Sequence, residues 1–233
     1  MISPRMTRII GYMPKGLLKF LSQKILDNYI NKYANLTING KENLKNIKKP
    51  IIFISNHLSN SDALIINKVL KDEDITFIAG VKLKDNSLTK LGLEITKTIP
   101  IKPNTADKEA IYNIVKTLKA GNNILIFPEG TRSRTAKLIK PKKGVILIQK
   151  LSKATIVPLG ISGTENLLPI NDKDMALERF QSADVTVNIG KALEIPKKNK
   201  EESKHEYEDR IMNYFMSEIA KLIPKEYRGI YDN

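Results

Sequence analysis

The stretch Ile51-Ile52-Phe53-Ile54-Ser55-Asn56-His57-Leu58-Ser59-Asn60-Ser61-Asp62 runs an unbroken apolar segment straight into a polar turn. The apolar part reads as a strand, Ile51–Ser55. The periodicity of Ala63, Leu64, Ile65 and Ile66 then opens a helix near 62–70. The same alternation continues outward in both directions. Further strands are expected at Ile75–Ala79, Thr98–Ile101, Ile124–Phe127, Ile156–Leu159 and Val185–Ile189, and further helices near 106–119, 143–151 and 203–222. Thr105 is placed to cap the 106–119 helix, with Asp107 and Glu109 in its first turn and Gly121 after its end. Strands alternating with helices imply an α/β fold with a largely parallel central sheet flanked by helices.

A chain of 233 residues fits one sizeable domain or a domain with a modest appendage. It has no cysteine, which excludes disulfides, thiolate nucleophiles and zinc–cysteine sites. Its only two histidines, His57 and His205, leave no basis for a His-rich metal site, and no metal or cofactor is expected. The formal charge of +14 favours anionic partners such as lipid headgroups, nucleic acid or an acidic carrier protein. No apolar run approaches the roughly 18–20 residues needed to cross a bilayer, and no secretory signal pattern is evident at the N-terminus. The expected location is the cytoplasmic face of the cell membrane, in peripheral or monotopic attachment.

That attachment is assigned to residues 1–39, read as a basic amphipathic segment, with the α/β domain over 40–233. Leu18, Leu21, Ile25 and Tyr29 recur at helical steps, and Leu26, Ile30 and Tyr33 widen the apolar face. Lys15, Lys19 and Lys24 lie among them, with Arg5, Arg8 and Lys32 nearby. Such a helix can lie in the membrane interface, each basic residue adding about 1 kcal/mol beside an anionic leaflet. A helix packed on the domain core would show the same periodicity.

Two strand ends carry the chemistry. In open α/β sheets ligands gather beyond the carboxyl ends of the strands, where His57 belongs. On one regular helix His57 and Asp62 would point about 140° apart, so they meet only across a turn. Asn56, Ser59, Asn60 and Ser61 are turn and capping residues that permit one. Asp62 would then fix the imidazole tautomer and leave the other nitrogen as a base. The second strand end reads Phe127-Pro128-Glu129-Gly130-Thr131-Arg132-Ser133-Arg134. Pro128 holds Phe127 extended, Gly130 permits close backbone approach, and an arginine there suits bidentate contact with a phosphate.

Asn56-His57-x-x-x-x-Asp62, the Phe127–Ser133 block and Ile156-Val157-Pro158-Leu159-Gly160-Ile161 together resemble the glycerophospholipid acyltransferase family, nearest its 1-acylglycerol-3-phosphate acyltransferases. The resemblance runs from about residue 40 to 195. It implies acyl transfer from acyl-CoA or acyl-carrier protein to the free hydroxyl of a lysophospholipid, giving phosphatidic acid. It implies His57 as general base and Asp62 as its orienting carboxylate. Glu129, Gly130 and Thr131 match the block associated with the acceptor, with Arg132 near its phosphate. Relatives often carry an arginine where this chain has Lys102, which would act as a point charge without bidentate geometry. Leu58 replaces a glutamine common in relatives.

A thioester donor is already activated, so the acceptor hydroxyl can attack directly while His57 removes its proton. Acceptors other than lysophosphatidate, such as glycerol 3-phosphate or another lysolipid, fit the same chemistry. A basic nucleic-acid-binding domain would explain the charge but not the paired strand-end motifs. With no Trp, no aromatic RNA-binding box and no zinc-finger spacing, nucleic acid is not expected as a partner. His205, in a charged helix start, reads as solvated, and Asp72, Glu73 and Asp74 read as a turn.

Overall fold

A computed structural model describes residues 14–80, 95–102, 105–171 and 177–232. The described elements are, in chain order, α1 (Lys15–Tyr33), β1 (Ala34–Asn39), β2 (Ile51–Ser55), α2 (Asp62–Val69), β3 (Ile75–Gly80) and β4 (Lys97–Ile101). They continue with α3 (Lys108–Lys119), β5 (Asn123–Ile126), α4 (Gly144–Ser152), β6 (Thr155–Ser162), α5 (Thr164–Leu167), β7 (Ala183–Ile189) and α6 (Lys204–Ala220). The strands form one seven-stranded sheet in the order β1-β7-β6-β2-β5-β3-β4. All neighbours pair in parallel except β6 and β7.

Every residue of β2 is buried, because this central strand is covered on both faces. Its side chains divide by the period of two. Ile51 and Phe53 join Leu26 and Ile30 of α1 and Leu64, Ile65 and Ile66 of α2. Ile52 and Ile54 face the other way, against Ile114 and Leu118 of α3, Val145 and Ile148 of α4, and Phe215 and Ile219 of α6. Three layers result, and the ends of β2 and β5 open at one rim. Pro158 marks the end of the β6–β7 ladder: its carbonyl accepts from Gly190 N at 2.8 Å, but it has no N–H to return the bond. The C-terminal helix α6 is closed at its start by a capping box between Ser203 and Glu206.

The sheet begins earlier than the division expected after residue 39. β1 pairs in parallel with β7 from Ala34↔Ala183 to Asn39↔Asn188. Its half-buried Leu36 and Ile38 alternate with exposed Asn35, Thr37 and Asn39, a period-two signature within the segment assigned to the membrane interface. The preceding helix is divided between two environments. Leu26 and Ile30 are core residues, whereas Ile25 and Tyr29 are 44% and 46% exposed, with Leu17 and Phe20 also exposed. Leu18 and Leu21 are half-buried, and Lys19 and Lys24 are exposed. The Lys15 side chain and residues 1–13, including Arg5 and Arg8, lie outside the described residues. No described helix is long and apolar enough to cross a membrane.

The cap of α3 also differs from expectation. Asp107, not Thr105, caps it, accepting from Ala110 N at 3.0 Å and from Lys102 N at 2.9 Å. Thr105 Oγ1 donates to Lys102 O instead. The two backbone donors hold the Asp107 carboxyl below its ordinary value of 3.8. Its contribution is therefore present above that value and lost as pH falls through the depressed one. Asp107→Ala should lower Tm by roughly 2–4 °C at neutral pH, and Thr105→Ala by much less, in parallel thermal melts.

Candidate active site

β2 ends at Ser55, and residues 56–61 turn before α2 starts at Asp62. Within that turn one oxygen, Asp62 Oδ2, accepts from Leu58 N at 2.6 Å and Ser59 N at 2.9 Å, and meets His57 Nδ1 at 2.7 Å. The carboxylate is fully buried and lies in the first turn of α2, whose dipole favours an anion. Pairing with a carboxylate assigns the proton to Nδ1 and leaves the Nε2 lone pair as an acceptor. The imidazole ring stacks on Phe127 at the end of β5, with centroids 4.0 Å apart and planes 12° apart. Asn56 ties the start of the turn to β6, donating to Ile161 O at 2.8 Å and accepting from Ile161 N at 2.9 Å. Ser59 Oγ donates to Leu168 O at 2.7 Å.

The second turn is bound to the first through the main chain of His57. His57 N donates to Glu129 Oε1 at 2.8 Å, and His57 O accepts from Ser133 N at 2.8 Å. Glu129 Oε2 accepts from Ile139 N at 2.9 Å. Both Glu129 oxygens therefore face the protein's own backbone, and the residue is 1% exposed. This differs from the expected contact with the acceptor, because a carboxylate turned inward against two amides presents nothing to a ligand. Desolvation pushes its carboxyl up to about 7 against the pull of those two amides. Gly130 supplies the positive φ of 70° that the turn requires.

Thr131 and Gly130 are exposed at the rim. The Arg132 side chain is 16% exposed and is held by Glu178, with Nη1 2.9 Å from Oε1. Lys102 is exposed just beyond β4. It lies on the same rim but three strand spacings from β2, about 14 Å away. His57, Asp62 and Glu129 are thus in direct contact, Arg132 joins them through Glu178, and Lys102 stands apart. Glu178, Phe127 and Ser133 were not among the residues singled out from sequence. Asn60 is one of the turn residues read from sequence, but its partner was not assigned there. Phe127 and Ser133 fall inside the block already quoted, but nothing local distinguishes Glu178 from a surface glutamate. Among the described residues no cluster of His, Asp and Glu is suited to a metal ion.

Glu129→Ala should orphan two backbone donors, at a cost of about 1–3 kcal/mol each, and lower turnover through the displaced His57 main chain. A carboxyl with a raised folded value stabilises most below its ordinary 4.5, and that contribution is lost as pH rises through about 7. Melts from pH 5 to 8 should accordingly decline more steeply for the wild type than for Glu129→Gln.

A family model described as Acyltransferase matches residues 35–162. The chain is similar to the 1-acyl-sn-glycerol-3-phosphate acyltransferase of Chlamydomonas reinhardtii, with 28% identity over 84% of this chain and 55% of that protein. It is also similar to the probable 1-acyl-sn-glycerol-3-phosphate acyltransferase of Mycoplasma genitalium, with 28% identity over 63% of this chain and 57% of the relative. The chain thus spans little more than half the length of these relatives. The fold is that of the 1-acyl-sn-glycerophosphate acyltransferase from Thermotoga maritima, with a TM-score of 0.63 at 20% identity over 93% of this chain and 87% of that one. Because the family match runs from β1 to the end of β6 and takes in both strand-end turns, the chain belongs to the acyltransferase family.

Proposed function

We propose that the protein transfers a fatty acyl group from a thioester, acyl-CoA or acyl-carrier protein, to the free hydroxyl of 1-acylglycerol 3-phosphate. The observation that carries this reading is the His57–Asp62 contact at 2.7 Å, beside a turn bearing Arg132. The acceptor hydroxyl loses its proton to Nε2 as its oxygen attacks the thioester carbonyl. The tetrahedral intermediate then collapses, breaks the carbon–sulfur bond and expels the thiolate, which takes the proton back from the imidazolium. The products are phosphatidic acid and the free thiol. Asp62 stabilises the imidazolium while charge is separated, and Arg132 is suited to the acceptor's phosphate. The likeness to 1-acyl-sn-glycerol-3-phosphate acyltransferases supports this acceptor.

The protein acts at the surface of an anionic membrane on its cytoplasmic face. Supporting this, α1 exposes Leu17, Phe20, Ile25 and Tyr29 together with Lys19 and Lys24, on a chain of net charge +14. Apolar contact and lysine attraction then act together at the lipid interface.

Purified protein with lipid vesicles, acyl-CoA or acyl-carrier protein, and a panel of acceptors should form phosphatidic acid from lysophosphatidate. Absence of that product, or a preference for glycerol 3-phosphate or a lyso-aminolipid, rejects the acceptor assignment. His57→Ala should cut kcat by roughly 10²–10⁴-fold, and Asp62→Asn by a loss of the same order, in protein of unchanged fold. Binding to anionic vesicles should fall on Lys19→Glu/Lys24→Glu and on added salt; salt-insensitive binding would exclude the charge contribution.

A further inference from the structure

Glu178 lies in the segment before β7, far in sequence from either strand-end turn, yet its side chain is only 1% exposed. A carboxylate that deeply buried needs partners for its charge, and those it has come from separate loops. Oε1 accepts from Arg132 Nη1 at 2.9 Å, in the turn after β5. Oε2 accepts from Asn60 Nδ2 at 2.7 Å, in the turn between His57 and Asp62. Asn171 N approaches Oε1 at 3.4 Å. The segment is anchored two residues on, where Phe180 packs against Tyr29 and Tyr33 of α1 at centroid distances of 5.4 and 6.2 Å.

We infer that Glu178 is a positioning residue for acceptor recognition: it sets the Arg132 guanidinium at a fixed reach from the His57–Asp62 turn. This rests on the acyl-transfer reading above. An acceptor carrying both a phosphate and a reacting hydroxyl must place the two groups at once, one at a cation and the other at Nε2. One carboxylate bonded to the arginine and to the turn joins those two places rigidly. Glu178 takes Nη1, and among the described residues no bond to Nε or Nη2 of Arg132 competes with an incoming phosphate. Guanidinium torsions that are already fixed cost nothing to fix again on binding, which is the gain from preorganisation. A glutamine here keeps the volume but removes the charge, so the charge-assisted bond that holds Arg132 is weakened.

The test is steady-state kinetics with lysophosphatidate and acyl-CoA for wild type, Glu178→Gln, Arg132→Ala and the double variant. Glu178→Gln should raise the acceptor KM roughly 10-fold, lower kcat by less, and leave the donor KM in place. The double variant should be no worse than Arg132→Ala alone, because the carboxylate acts through the arginine. Should Glu178→Gln fail to fold, Glu178→Asp keeps the charge and shortens the reach, and the same KM-against-kcat split is expected at smaller size. An acceptor KM unchanged in the variant that folds, an equal rise in donor KM, or multiplicative losses in the double variant would overturn the positioning role. Loss of transfer to lysophosphatidate in the wild type, or no effect of Arg132→Ala on acceptor KM, would instead overturn the functional reading beneath it.

Discussion

One carboxylate oxygen, Asp62 Oδ2, organises the site by taking two backbone amides and the His57 ring at 2.6–2.9 Å. A charge at this depth is costly without donors, and its donors are the residues of the turn that must be shaped. The turn therefore closes around the carboxylate, and closing it brings the imidazole onto the same oxygen. Fold and chemistry meet in one group, because the bonds that neutralise the burial also select the tautomer.

Three buried acids hold the turn of residues 56–61 in the same way. Asp62 accepts from Leu58 and Ser59, Glu129 from His57 N, and Glu178 from Asn60 Nδ2. Each lies on a different part of the chain, and each is stabilised by a donor on this turn. Phe127 covers the ring and Asn56 pins the turn to β6. The result is an imidazole held by rigid elements. The price is sensitivity, since removing any of the three acids leaves a buried or half-buried donor unpaired.

The first helix combines two requirements that its periodicity could not separate. Leu26 and Ile30 pack under the sheet, while Ile25 and Tyr29, on the neighbouring stripe, remain exposed. A helix apolar over more than one stripe can serve the core and another surface together. Phe180 packs against the outer part of that helix and leads back to Glu178, so the exposed stripe and the site share one connecting segment.

Residue order by itself determined the alternation of strands and helices, because buried parallel strands demand continuous apolar runs that are visible locally. It also determined which side chains would stand at the rim, since His57, Asp62 and Arg132 follow strand ends directly. It did not reveal that β1 belongs to the sheet, because its alternating pattern was masked by the basic helix preceding it. Only the tertiary structure decided that Asp107 caps α3, that Glu129 turns inward, and that Glu178 reaches Arg132 across 46 residues. The physical reason is common to all three: a carboxylate's role depends on which donors surround it and how far water is excluded. For Glu129 and Glu178 both are set by segments remote in sequence, through His57 and through Asn60 and Arg132, whereas Asp107 takes its donors from Lys102 and Ala110 nearby.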